Sequence, residues 1–170
     1  MFEYLSVVDW ESPPDNLEIV SPSLKSLQLV RMRCGLLKVK GICFKDTPLL
    51  SSVQLFFHDT DTLDLATVFA SIPTIRKLGT NDVLLQHLTA GPRNVPSGLP
   101  SPLHQLEVLE IIDFDYSLDW EHGFVCLIMS SPNLRRLKLQ LYRDERKNAV
   151  SNLGSSQLRI AVVHRLSWTL

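Results

Sequence analysis

The stretch SPNLRRLKL, Ser131 to Leu139, places apolar residues at Leu134, Leu137 and Leu139 in the spacing L-x-x-L-x-L. More than a hundred residues earlier, SPSLKSLQL writes the same spacing with Leu24, Leu27 and Leu29. The x-L-x-L half of each copy alternates in the period of a strand, with one face apolar and the other polar. Two strands so alike in one chain point to a unit that recurs.

Sliding the chain along itself finds the intervening copies. Leu50, Val53 and Leu55 stand in TPLLSSVQL, and Leu106, Leu109 and Ile111 in LHQLEVLEI. Ile75 and Leu78 stand in IPTIRKLGT, where Thr80 replaces the last apolar residue. The first positions advance by 26, 25, 31 and 28 residues. Four of the five copies carry a proline two residues ahead, at Pro22, Pro48, Pro73 and Pro132. Proline ends what precedes it and holds its predecessor extended, so each strand is entered at a fixed point. Leucine-rich repeats have periods of about 20–29 residues, and no single repeat buries its apolar row alone. The expected fold class is therefore α/β: a leucine-rich-repeat solenoid, a right-handed β-α superhelix with a parallel sheet on its concave face. Strands are expected near 24–29, 50–55, 75–80, 106–111 and 134–139.

The segments between strands differ along the chain. DTLDLATVFASIP sets Leu63, Ala66, Phe69 and Ala70 at helical spacing, with Asp61 or Thr62 as N-cap and Pro73 beyond the end. SLDWEHGFVCLIMSSP does the same with Trp120, Phe124, Leu127 and Ile128, despite Gly123 inside. NLEIV and LLKVKGICF are β-like, and TAGPRNVPSGLPSP, residues 89–102, reads as a proline-rich loop. Three regions follow: an N-terminal segment 1–16, repeats over 17–142, and a divergent tail over 143–170. Within that tail LRIAVVHRLSWTL is apolar enough for a strand. Neither end shows a polar capping repeat, so a partial or truncated array is expected.

Of 170 residues, 45% are hydrophobic and 21% charged, the balance of an ordinary soluble globular chain, and the net charge of −1 gives no general pull toward nucleic acid or anionic membrane. The longest apolar run, Phe124 to Met129, falls far short of the roughly 20 residues of a membrane span. MFEYLSVVDWESPPDN has no secretory-signal pattern. Cys34, Cys43 and Cys126 are odd in number and share no ligand-like spacing, which suits a reducing compartment. A nuclear or cytoplasmic protein without cofactors is expected.

At SPSLKSLQL, TPLLSSVQL, LHQLEVLEI and SPNLRRLKL the chain resembles the plant F-box/FBD/leucine-rich-repeat proteins. The most family-like segment is LHQLEVLEIIDFDYSLDWEHGFVCLIMSSPNLRRLKLQL, and the likeness covers about residues 15 to 142. The resemblance implies the substrate-recognition part of an SCF-type E3 ubiquitin ligase, in which an F-box docks on a Skp-type adaptor and the solenoid selects a protein client. Here repeats begin by Leu24, which leaves no room for a helical F-box before them, so the adaptor is not an expected partner. The tail departs from the FBD pattern and reads as a remnant of that region.

Motifs for chemistry are sparse. His58, Asp59 and Asp61 in HDTD fall between a strand and a helix, where Asp and Thr act as turn and cap residues. Asp113, Asp115 and Ser117 begin like a calcium loop, but Leu118 replaces the tight-turn glycine and Phe124 the bidentate glutamate. His87, His104, His122 and His164 share no spacing with a nucleophile, and there is no phosphate-cradling or nucleophile-elbow motif. A non-enzymatic role is expected.

The positions alternating with the leucines carry the functional expectation. By copy they are Ser26 and Gln28, Ser52 and Gln54, Lys77 and Gly79, Val108 and Glu110, and Arg136 and Lys138. Gln28, Gln54, Lys77, Glu110, Arg136 and Lys138 are the candidate protein-binding residues, facing a client across the polar side of the sheet. Two alternatives stand beside this: a small-ligand sensor using the loop 89–102 with Lys77, Arg93, Arg136 and Lys138, and a truncated fragment without function.

Overall fold

The computed structural model describes residues 2–9, 16–32, 41–57, 65–88, 98–99, 101–114, 121–141 and 159–164. Seven strands form one sheet: β1 (Tyr4–Val8), β3 (Ser26–Met32), β5 (Ser52–Phe57), β6 (Lys77–Asn81), β7 (Val108–Phe114), β8 (Arg136–Leu141) and β9 (Arg159–His164). The first six lie side by side in chain order and are parallel; β9 closes on β8 antiparallel. A second, two-stranded parallel sheet pairs β2 (Asn16–Val20) with β4 (Gly41–Lys45), the two segments read as β-like. Among the described residues three helices, α1 (Leu65–Ala70), α2 (Asp82–His87) and α3 (Glu121–Met129), complete the α/β architecture. α1 packs on β4, while α2 packs on β5, β6, β7 and α3. N-cap residues Asp61 and Thr62, with Leu63 and Trp120, lie outside the described residues.

The register explains the repeated spacing. Leu27, Val53, Leu78, Leu109 and Leu137 are successive cross-strand neighbours, as are Leu29, Leu55, Thr80, Ile111 and Leu139. With Leu24, Leu50, Ile75, Leu106 and Leu134 they form three rows of the core, buried throughout except at half-buried Leu139. Thr80 is fully buried in the apolar row; its hydroxyl donates to the Asn81 carbonyl at 3.4 Å, and the Asn81 side-chain amide donates to the Phe57 carbonyl at 2.6 Å. These bonds pair the Thr80 hydroxyl and the Asn81 amide nitrogen where the chain leaves β6 and turns into α2, while Asn81 Oδ1 is buried without a hydrogen-bond partner among the described residues.

Every strand starts two residues later than its leucine template. The first apolar residue belongs to a turn: the N–H groups of Leu24, Leu50, Ile75, Leu106 and Leu134 donate to the carbonyls of Ser21, Thr47, Ile72, Leu103 and Ser131 at 3.0–3.3 Å. The repeated proline is the second residue of that turn, where its fixed φ is already correct. The copy without it has His104 there and keeps the same bond. Turns also tie to one another, since Asn133 Nδ2 donates to the His104 carbonyl at 2.7 Å.

A ladder of main-chain bonds reveals a sixth copy. Lys25 and Ser26 both donate to the Glu3 carbonyl, Ser51 and Ser52 to Lys25, Arg76 and Lys77 to Ser51, Glu107 and Val108 to Arg76, and Arg135 and Arg136 to Glu107. Glu3 thus holds the place that Lys25, Ser51, Arg76 and Glu107 hold later. Phe2, Leu5 and Val7 are the L-x-x-L-x-L of this copy, with Leu5 beside Leu27 and Val7 beside Leu29. The segment 1–16, expected to precede the repeats, therefore contributes β1 to the sheet.

Candidate functional site

Strand alternation sends one set of side chains into the core and the other onto the opposite face of the sheet. On that outward face two polar rows run across the strands. One is Ser6, Gln28, Gln54, Gly79, Glu110 and Lys138; the other is Tyr4, Ser26, Ser52, Lys77, Val108 and Arg136. All six candidate residues read from the sequence lie in these two adjacent rows. A third row, Val8, Val30 and Phe56, is apolar.

The face changes character along its length. Toward β1 it is neutral. Tyr4 Oη donates to Gln28 Oε1 at 2.6 Å, and Ser6 Oγ donates to the same oxygen at 3.3 Å. At β6 the row has no side chain, because Gly79 stands there. A methyl group on Gly79 would meet Gln54 Cγ at 3.0 Å and Phe56 Cζ at 3.4 Å. Gln54 and Phe56 therefore lean over the glycine, which leaves Phe56 only 9% exposed despite its outward position.

Toward β8 the face is charged. Glu110 Oε2 receives Lys77 Nζ at 2.9 Å, and Oε1 receives Lys138 Nζ at 2.5 Å. Lys138 is the direct cross-strand neighbour, while Lys77 reaches diagonally, as long side chains on adjacent strands can. The Glu110 side chain is 15% exposed, against 36% for Lys77 and 50% for Lys138. Burial alone would push its carboxyl up; the hydrogen bonds from Lys138 and Lys77, with both ammonium charges, together outweigh that and hold it below its ordinary value. Arg136 is exposed in the neighbouring row.

The elements behind the sheet fix this face in place. Buried Ser130, at the end of α3, accepts the Leu99 N–H with its hydroxyl at 2.6 Å and donates to the Cys126 carbonyl at 2.7 Å, while its own carbonyl accepts from Leu103 N–H at 2.8 Å. Ser131 donates to the Leu127 carbonyl at 2.7 Å. The Ser-Ser-Pro-Asn stretch thus ends α3, anchors the incoming chain and opens the turn into β8.

Sequence reasoning missed Tyr4, Ser6 and Phe56. The first two become visible once Phe2, Leu5 and Val7 are aligned with the other copies; Phe56 becomes visible only with its position over Gly79. Arg93, most of the loop 89–102, His58 to Asp61, and Asp115 to Ser117 lie outside the described residues. Among the described residues no three His, Cys, Asp or Glu side chains are grouped as metal ligands, and no helix is long and apolar enough to cross a membrane. The chain matches no family model, no curated protein and no solved structure.

Proposed function

We propose that this chain is a non-catalytic protein-binding module of the leucine-rich-repeat type, which presents the outward polar face of its sheet to a protein client. The observation that carries this reading is the gathering of Gln28, Gln54, Lys77, Glu110, Arg136 and Lys138 on two neighbouring rows of one face. The recurring turn, strand and paired main-chain bonds support a solenoid curved with these rows on its concave side. Such a face is wide and open, suited to a macromolecular surface more than to an enclosed small molecule.

The resemblance to F-box/FBD/leucine-rich-repeat proteins extends the proposal: the client would be a target for ubiquitylation, with the present chain supplying recognition. The test is affinity capture from plant extract followed by lysine cross-linking. Cross-links from a captured protein should fall on Lys77 and Lys138 and spare Lys45, which lies in the second sheet. A double variant, Arg136→Glu with Lys138→Glu, should lose that protein. Unchanged recovery with cross-links at Lys45 instead would remove this face from the function.

A further inference from the structure

We propose that the β6–β8 end of the outward face binds an extended acidic polypeptide segment, one rich in Asp and Glu. The inference rests on the protein-binding reading and names the partner's chemistry. Among the described residues, Lys77, Arg136 and Lys138 share this end of the two polar rows with one carboxylate, Glu110, which leaves an excess of two positive charges there. The residues just ahead of the three strands are Arg76, Glu107 and Arg135, which add a second alternation with a cationic excess. A chain with net charge −1 has thus concentrated cations in one place.

Glu110 shows what the place accepts. Its two oxygens are each taken by a different lysine, one from either neighbouring strand. This is a carboxylate already seated between two ammonium groups, with Arg136 standing exposed one row away. Adjacent strands are about 4.8 Å apart, so the cations of β6 and β8 stand about 10 Å apart across β7, a span that about three residues of an extended peptide cover. Exposure of both lysines and of Arg136 keeps the site open to a chain passing across it. A peptide carboxylate would share or displace Glu110, and Glu110 would act as an internal competitor. Charge pairing of this kind weakens with salt and is strongest where the groups are partly desolvated.

The test is fluorescence anisotropy of a labelled decaglutamate peptide with the full chain, beside a Gly-Ser peptide of equal length, each variant checked for folding by circular dichroism. The wild type should bind decaglutamate and not Gly-Ser, with affinity falling as salt rises. Glu110→Gln should bind several-fold more tightly, because it frees Lys77 and Lys138. Glu18→Gln makes the same charge change beside Lys45 in the second sheet and should leave the affinity unchanged. Arg136→Glu with Lys138→Glu should abolish binding. Three results would overturn the proposal: no binding by folded wild type, equal gains from Glu110→Gln and Glu18→Gln, or displacement of the peptide by inorganic phosphate at matched ionic strength. If decaglutamate fails while Gln54→Arg still removes a cross-linked client, the acidic class falls and the protein-binding reading stands. If neither the peptide nor any client depends on the face, both fall.

Discussion

Gly123 of α3 lies against the main-chain carbonyl of Leu85 in α2. A methyl group built on Gly123 would collide with that oxygen and with the Leu85 carbonyl carbon behind it. The glycine looked like a blemish in an otherwise helical pattern; it is the position that lets two helices meet backbone to backbone. Because the obstacle is main chain, a shift of a flexible side chain cannot relieve it. Gly123→Ala should destabilise the fold by about 3 kcal/mol despite alanine's better helix propensity. Urea denaturation would measure this, and a stabilised variant would show that the helices are not held so closely.

Leu109 and Leu5 occupy the same place in different copies. Leu109 is fully buried between neighbours on both sides; Leu5, on β1, is 40% exposed, and Phe2 ahead of it is 82% exposed. Leu109→Ala should cost about 2–5 kcal/mol, and Leu5→Ala less than about 1.5 kcal/mol. Comparable losses at the two positions would mean that β1 is covered on its outer side in solution.

Glu110 makes stability depend on acidity in a definite direction. Its carboxyl titrates lower in the folded chain than in the unfolded one, so its contribution is fully present above the ordinary carboxylate value of about 4. The contribution is lost as pH falls through the folded value. Glu110→Gln has no such group, so the gap in denaturation midpoint between wild type and variant should narrow on acidification. A gap independent of pH through that range would place the carboxylate outside the two lysines' influence.

The spacing of the leucines made the parallel strands, their order and their buried rows legible, because an apolar row can be satisfied only by a like row beside it. Strand starts were misplaced by two residues because Leu24 and its equivalents are buried like strand residues while their N–H groups close turns. β1 escaped notice since Phe2, Leu5 and Val7 have no proline ahead of them. α2, DVLLQH, is too short for a 3.6-residue period to declare itself and is held by packing against β5–β7 and α3. The polar rows could be read from strand alternation, and aligning the copies puts Glu110 beside Lys138. The diagonal reach of Lys77 and the covering of Gly79 by Phe56 depend on side-chain directions that no one-dimensional pattern contains.

Cys126 offers a probe of the packing that holds the charged end of the face. It is buried on α3, and burial pushes its thiol up, with the neighbouring Ser130 side chain only partly opposing this. A thiol that is both covered and harder to ionise is a poor nucleophile. Half-buried Cys43, on β4, should be alkylated by iodoacetamide in the native protein well before Cys126, as read by peptide mass mapping. Ser130→Ala removes the hydroxyl that accepts from Leu99 and donates to the Cys126 carbonyl, so it should open this corner and raise the alkylation rate at Cys126 several-fold. The rise should come with a loss of about 1–3 kcal/mol in stability, since a buried N–H is left without its acceptor. Rapid native labelling of Cys126 in the wild type would mean that α3 leaves α2 and the core readily, and the rigid support inferred for Lys138 and Arg136 would go with it.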